Sequence, residues 1–156
     1  MTTYVDTSIL AAAIFEEPRS AAARDWFRRM SERIIVSDLT GLEFAAVVSR
    51  AVRTMRFEDD AAARALASFD EIRADSLPLY HGRSDFERAE RLVREFSTKL
   101  SAPDALHLAS AKNAGAALAT SMRDSRRLRE DRASSWWRPP KLASPQIVFD
   151  FIWSAM

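Results

Sequence analysis

Short β-like runs recur between longer stretches of helical periodicity, and this alternation limits the chain to few architectures. The runs are Thr3 to Val5, Ile34 to Val36, Leu77 to Leu79, Ala117 to Ala119 and, less regularly, Gln146 to Phe149. Strands that alternate with helices predict an α/β domain in which a parallel sheet is flanked by helices. Ala22, Trp26, Phe27 and Met30 form one helical stripe, and Phe86, Ala89, Val93 and Phe96 form another. A further helix, roughly Asp59 to Arg73, carries Ala62, Leu66, Phe69 and Ile72 on one face. All three stripes are assigned to the core.

At 156 residues and 47% hydrophobic content the chain suits one domain, residues 1–156, burying roughly 70% of its unfolded surface. No apolar run approaches the ~18 residues that a membrane span needs. The start MTTYVDTSIL carries neither a basic leader nor a small-residue cleavage site, so the expected location is the cytoplasm. The absence of cysteine excludes disulfides, thiolate zinc sites and cysteine nucleophiles, which leaves oxygen or histidine to hold any metal. A net charge of +1 neither requires nor forbids a nucleic-acid partner. Arginines cluster at Arg24, Arg28, Arg29 and Arg33 and again at Arg123, Arg126, Arg127, Arg129 and Arg132. Either cluster suits phosphate binding, and the first suits a solvated helix face equally well. Prolines interrupt the stretch from Ala133 to Pro145, which reads as a loop whose adjacent Trp136 and Trp137 cover the core or, as the lesser reading, meet a partner.

Three carboxylates stand where a strand or loop hands over to a helix: Asp6 in YVDTSIL, Glu43 in DLTGLEFAAVV and Asp104 in LSAPDALHLASA. Each has an innocent reading. Asp6 suits an N-cap, and Thr40 with Glu43 and Ser101 with Asp104 both fit the capping box. Periodicity argues further, because Glu43 shares a face with Val47 and Ala51 and neighbours Phe44 and Val48, close to the side its helix turns inward. Ala105 to Ala111, after Asp104, contains no Asp, Glu, Lys or Arg, as a helix buried on most sides requires. A carboxylate at such a place needs a cation, a metal or backbone donors beside it. In open parallel sheets functional groups gather beyond the carboxyl ends of the strands, which is where Asp6 lies and where the other two helices would start. Three converging acids repel one another unless a hard divalent cation joins them, and an all-oxygen set suits magnesium better than zinc. His107 is read as a structural histidine, hydrogen-bonded inside or at a dimer contact, and His81 as a loop residue.

The YVDTSIL start, the TGLEFAAVVSR helix start and the SAPDALHLASA segment resemble, in order and spacing, the acidic blocks of PIN-domain nucleases, particularly VapC-like toxins of toxin–antitoxin pairs. The resemblance runs from about Thr3 to Leu128. It implies a three-layer α/β/α sandwich around a parallel sheet of four to five strands, and an endoribonuclease dependent on Mg2+ or Mn2+. It also implies a homodimer inhibited by a cognate antitoxin protein. Carried over by position, Asp6, Glu43 and Asp104 become metal carboxylates, with Thr7 or Ser8 orienting a ligand or water. The family commonly places a fourth acid two residues after a threonine at the end of the fourth strand; here Thr120 is followed by Ser121 and Met122, and the next acid is Asp124. Either a longer loop brings Asp124 into the site, or Asp124 caps a helix from Ser125 to Glu130 and the fourth ligand is lost.

The expected reaction is therefore hydrolysis of an RNA phosphodiester by metal-activated water. A PIN-like module that binds RNA but cuts it poorly is the alternative, motivated by Met122. A receiver-like domain fits less well, because Lys99, Lys112 and Lys141 are the only lysines and none closes a strand. A nuclease acting on DNA would use the same acids.

Overall fold

In a computed structural model that describes residues 2–16 and 18–120, every adjacent pair of strands runs parallel. The elements follow as β1 (Thr3–Val5), α1 (Thr7–Ile14), α2 (Ser20–Arg29), β2 (Ile34–Ser37), α3 (Asp38–Arg53), α4 (Asp59–Ala74), β3 (Leu77–Leu79), α5 (Arg83–Arg94), α6 (Ala102–Asn113) and β4 (Ala117–Ala119). The sheet order is β3-β2-β1-β4, with Thr3 beside Ile34 on one side and Ala117 on the other. The chain thus steps outward from β1 to β3 and then returns to the far flank of β1. Right-handed crossovers put helices on one face during the outward steps and on the other during the return.

Strand alternation fills the two faces. Val5, Val36 and Ala119 point into a core built from α1 to α4, with Ile9, Leu10, Phe44, Phe69 and Trp26. Tyr4, Ile35 and Leu118 point the other way, against Ala111 and Leu108 of α6. Period-2 alternation in strands only three or four residues long therefore suffices to build a three-layer sandwich. Phe44 centres the larger core, stacked on Phe15 at 5.5 Å and on Phe69 at 4.6 Å between ring centroids. The stripe of Ala22, Trp26, Phe27 and Met30 joins this core, as expected.

The α5 stripe corrects the sequence reading. Ala89 is buried, but Phe86 is 57% exposed, Val93 39% and Phe96 88%. α5 packs on α6 through Ala89 and Leu92 against Ala105, Leu106 and Ala109, small residues that bring the two backbones close. Asn113 Nδ2 donates to Asp85 Oδ1 at 2.7 Å across the same seam. The inward row is thus Asp85 and Ala89, both buried, with the partly buried Leu92, one step round the helix from the expected one, and Phe96 lies beyond the helix end. On α4, Ala62 and Phe69 are buried and Ile72 packs on the core, while Leu66 sits at the margin at 37% exposure.

Two terminations set the sheet. α6 ends as Gly115 adopts φ +62, with Ala116 N–H donating to Ala111 O at 2.9 Å, and this left-handed turn feeds the chain into β4. β3 forms one edge of the four-stranded sheet, with Pro78 at its centre. The expected fifth strand at Gln146 to Phe149 and the Trp136/Trp137 loop lie outside the described residues. Among the described residues no helix is long and apolar enough to cross a membrane.

Phe44 is 0% exposed within its stack, so Phe44→Ala is expected to lower unfolding free energy by about 3–5 kcal/mol. Urea denaturation of the variant checks this, and a loss below about 1 kcal/mol would show that the stack does not carry the core.

Candidate active site at the carboxyl edge of the sheet

The carboxyl ends of β1, β2 and β4 deliver the chain directly into Asp6, α3 and Thr120. α6 ends where β4 begins, so its N-terminus, with Asp104, stands at this same edge. The strand order reverses between β1 and β4, and the crevice beyond such a reversal is where parallel sheets place their ligands.

Asp6 is 4% exposed and caps α1: its Oδ1 accepts from Ser8 N at 2.5 Å and from Ser8 Oγ at 2.6 Å. Its own N–H donates to Ala119 O at 3.0 Å, which ties it to the end of β4. Ser8 Oγ lies 3.5 Å from Thr120 Oγ1, so the chain leaves the described residues beside the first acid.

Glu43 departs from the expected capping box. The N-cap of α3 is Ser37, whose side chain accepts from Thr40 N at 3.1 Å, and Glu43 lies more than a turn further on. Its Oε2 instead accepts from Thr7 Oγ1 at 2.6 Å and from His107 Nε2 at 2.7 Å. Partial burial pushes the Glu43 carboxyl up, but the hydrogen bonds from His107 and Thr7, with the charge of His107, outweigh it and hold the group below its ordinary value. Ser101 and Asp104 form half of the expected box: Ser101 Oγ accepts from Asp104 N at 3.3 Å as the N-cap, while Asp104 Oδ2 accepts from the Ser101 hydroxyl at 2.6 Å.

The three acids therefore stand along one connected edge. Asp6 is bonded to Thr7, Thr7 donates to Glu43, and Glu43 accepts from His107, one turn after Asp104 on α6. Each carboxylate has one oxygen held by a hydroxyl or ring donor, and among the described residues the other oxygen receives no hydrogen bond. Among those residues no three acidic or histidine side chains gather closely enough to enclose an ion unaided. Asp124 lies outside the described residues, as does the second arginine cluster.

Behind Glu43, His107 is buried, as expected of a structural histidine, and its Nδ1 lies 2.8 Å from Tyr4 Oη. Tyr4 Oη lies 2.6 Å from Ser37 Oγ, and burial pushes the phenol up to about 12 despite the hydrogen bonds from Ser37 and Thr40. Sequence reasoning missed Tyr4 and Ser37, whose only signal is position: Tyr4 stands in β1 two residues before Asp6, and Ser37 ends β2. His81 has a companion after all, since its Nδ1 bonds Asp38 Oδ1 at the start of α3 and its ring leans on Phe86. Nothing local in the sequence signals that pair. In the first arginine cluster Arg24 pairs with Glu16 at 2.6 Å, and Arg28 and Arg29 pair with Asp25 at 3.6 and 2.6 Å, a self-satisfied helix face.

Fold and edge define a parallel α/β domain with Asp6, Glu43 and Asp104 along the carboxyl edge of its sheet. The sequence matches the PIN domain over residues 3–131, and the chain belongs to that family. No curated protein matches it. Among solved structures it is similar to VapC20 of Mycobacterium tuberculosis, described as a sarcin-ricin loop cleaving toxin, at 22% identity and TM-score 0.61 over 74% of this chain and 85% of that one. It is similar to VapBC2 of Rickettsia felis bound to a promoter DNA fragment, at 17% identity and TM-score 0.63 over 81% and 92%. VapBC-1 of nontypeable Haemophilus influenzae is also similar, at 15% identity and TM-score 0.59 over 83% and 94%.

Because Glu43 has a lowered folded pKa, the stability it contributes is present above its ordinary value of 4.5 and is lost as pH falls through the folded value. In chelator, the stability difference between wild type and Glu43→Gln is expected to shrink steadily on acidification from pH ~6 to pH ~3. A difference independent of pH over that window, measured by denaturant titration, contradicts the assigned hydrogen bonds.

Proposed function

We propose that this chain is a metal-dependent endoribonuclease and the toxin component of a toxin–antitoxin pair. The observation that carries the reading is the half-occupied state of Asp6, Glu43 and Asp104, three carboxylates at one sheet edge with one oxygen fixed and the other unengaged among the described residues. Among the described residues no lysine or arginine pairs with these acids, and an all-oxygen donor set fits a hard cation, Mg2+ or Mn2+. Asp6, Glu43, Asp104 and Asp124 would hold it. When bound, the ion supplies Lewis acidity to water and compensates charge on the phosphodiester.

The chain's own residues do the rest. Ser8 and Thr7 hold the carboxylates of Asp6 and Glu43 in one orientation, and Ser101 does so for Asp104. A carboxylate that does not bind the ion is available to take a proton from the attacking water. The likeness to a toxin described as cleaving the sarcin-ricin loop supports RNA as substrate, and the likeness to VapBC complexes supports a cognate antitoxin as partner. A homodimer and a cytoplasmic location complete the proposal.

A second reading, a module that binds RNA and cuts poorly, draws on the absence of a closed ligand group among the described residues and on Met122 at the usual acidic position. Asp124 separates the two. With structured RNAs and Mg2+, wild type is expected to cut and excess EDTA to abolish cutting. Asp6→Asn and Asp104→Asn are each expected to reduce the rate by more than the roughly 10–100-fold typical of a group one shell further out. A folded double variant with full activity removes the site. If Asp124→Asn leaves the metal requirement unchanged, Asp124 is a cap and the site consists of the other three acids.

A further inference from the structure

A carboxylate only accepts, so in the 2.7 Å contact with Glu43 the proton belongs to His107 Nε2. Its Nδ1 lies 2.8 Å from Tyr4 Oη, a second hydrogen bond that holds the other side of the ring. Tyr4 Oη lies 2.6 Å from Ser37 Oγ, and Ser37 Oγ accepts Thr40 N–H as the cap of α3. One continuous chain of hydrogen bonds therefore links Ser37, Tyr4, His107 and Glu43. It passes from the end of β2 through β1 and α6 to α3, and its middle members are shut from solvent: Tyr4 is 0% and His107 3% exposed. The two rings meet edge to face at 5.6 Å, which together with the hydrogen bond at each nitrogen blocks rotation of the imidazole.

We infer that His107, oriented by Tyr4, is a positioning residue for Glu43. It pins Oε2 together with Thr7 and leaves Oε1 as the Glu43 oxygen that would be free to meet an ion. The inference rests on the reading of Glu43 as a metal carboxylate and deepens it. Packing alone does not account for the arrangement, because packing would be served by any apolar ring at position 107, whereas both nitrogens here meet a partner of matching polarity. Histidines next to a ligand act in this way when the far nitrogen is itself held, and loss of such an outer partner typically weakens metal binding about 10–100-fold.

Mn2+ binding to the purified full chain, followed by calorimetry, tests this without reference to RNA cleavage. Tyr4→Phe touches no carboxylate and keeps the ring, yet is expected to weaken Mn2+ binding about tenfold. His107→Leu is expected to weaken it at least as much. His107→Gln, whose amide nitrogen can stand where Nε2 stands, is expected to recover most of the loss. Circular dichroism and thermal melts establish that each variant is folded. In case His107→Leu fails to fold, the Tyr4→Phe and His107→Gln pair decides the matter alone. A folded Tyr4→Phe that binds Mn2+ as tightly as wild type overturns the inference, as does a His107→Gln no better than His107→Leu. Nitrogen-15 spectra of the histidine side chains in metal-free protein give an independent reading, with a protonated Nε2 expected at His107 and a bare Nε2 fatal. A wild-type chain that binds no Mn2+ instead removes the metal-site reading itself, and so is told apart from failure of the positioning role.

Discussion

Oε2 of Glu43 is the atom on which the arrangement of this site depends. A carboxylate carried towards the inner edge of a parallel sheet loses water, and the loss must be made good by donors held in place. Here the donors come from α1 and α6, while the acid itself comes from α3 and the ring behind it is held by β1. Four elements distant in sequence are thereby fixed relative to one another by hydrogen bonds between 2.6 and 2.8 Å.

Most of the fold could be read from the residues because it follows from local chemistry. The runs TYV, IIV, LPL and ALA became the expected strands, with Ser37 added to the second. The uncharged stretch after Asp104 became a helix with Ala105, Leu106, His107, Ala109, Ser110 and Ala111 buried. The α5 face was misread because hydrophobicity identifies a stripe but not the neighbour that covers it. Small residues on α6 admitted Ala89 and Leu92, leaving the larger Phe86 and Val93 turned outward. A helix packed on another by close approach buries its small residues first.

At the site, capping and function proved compatible rather than exclusive. Asp6 caps α1 with one oxygen, and Asp104 accepts from Ser101, the cap of α6, with one of its own, so the innocent explanation of their positions also keeps them rigid. For Glu43 the capping explanation failed, since Ser37 takes that role three residues before Thr40. The partners that replaced it, Thr7 and His107, are 36 and 64 residues away, and no window of sequence holds such information. The same holds for His81 and Asp38, 43 residues apart. The pattern of acids announces an edge, whereas the wiring behind them exists only once the chain has closed.

Pro78 has a consequence for how this molecule meets others. Set at the centre of a three-residue border strand, it cannot offer an amide to a newcomer lying alongside, and the rung it would have supplied is missing. Strand-by-strand extension from that flank is thereby discouraged, which protects a short open sheet from stacking end on end with its neighbours.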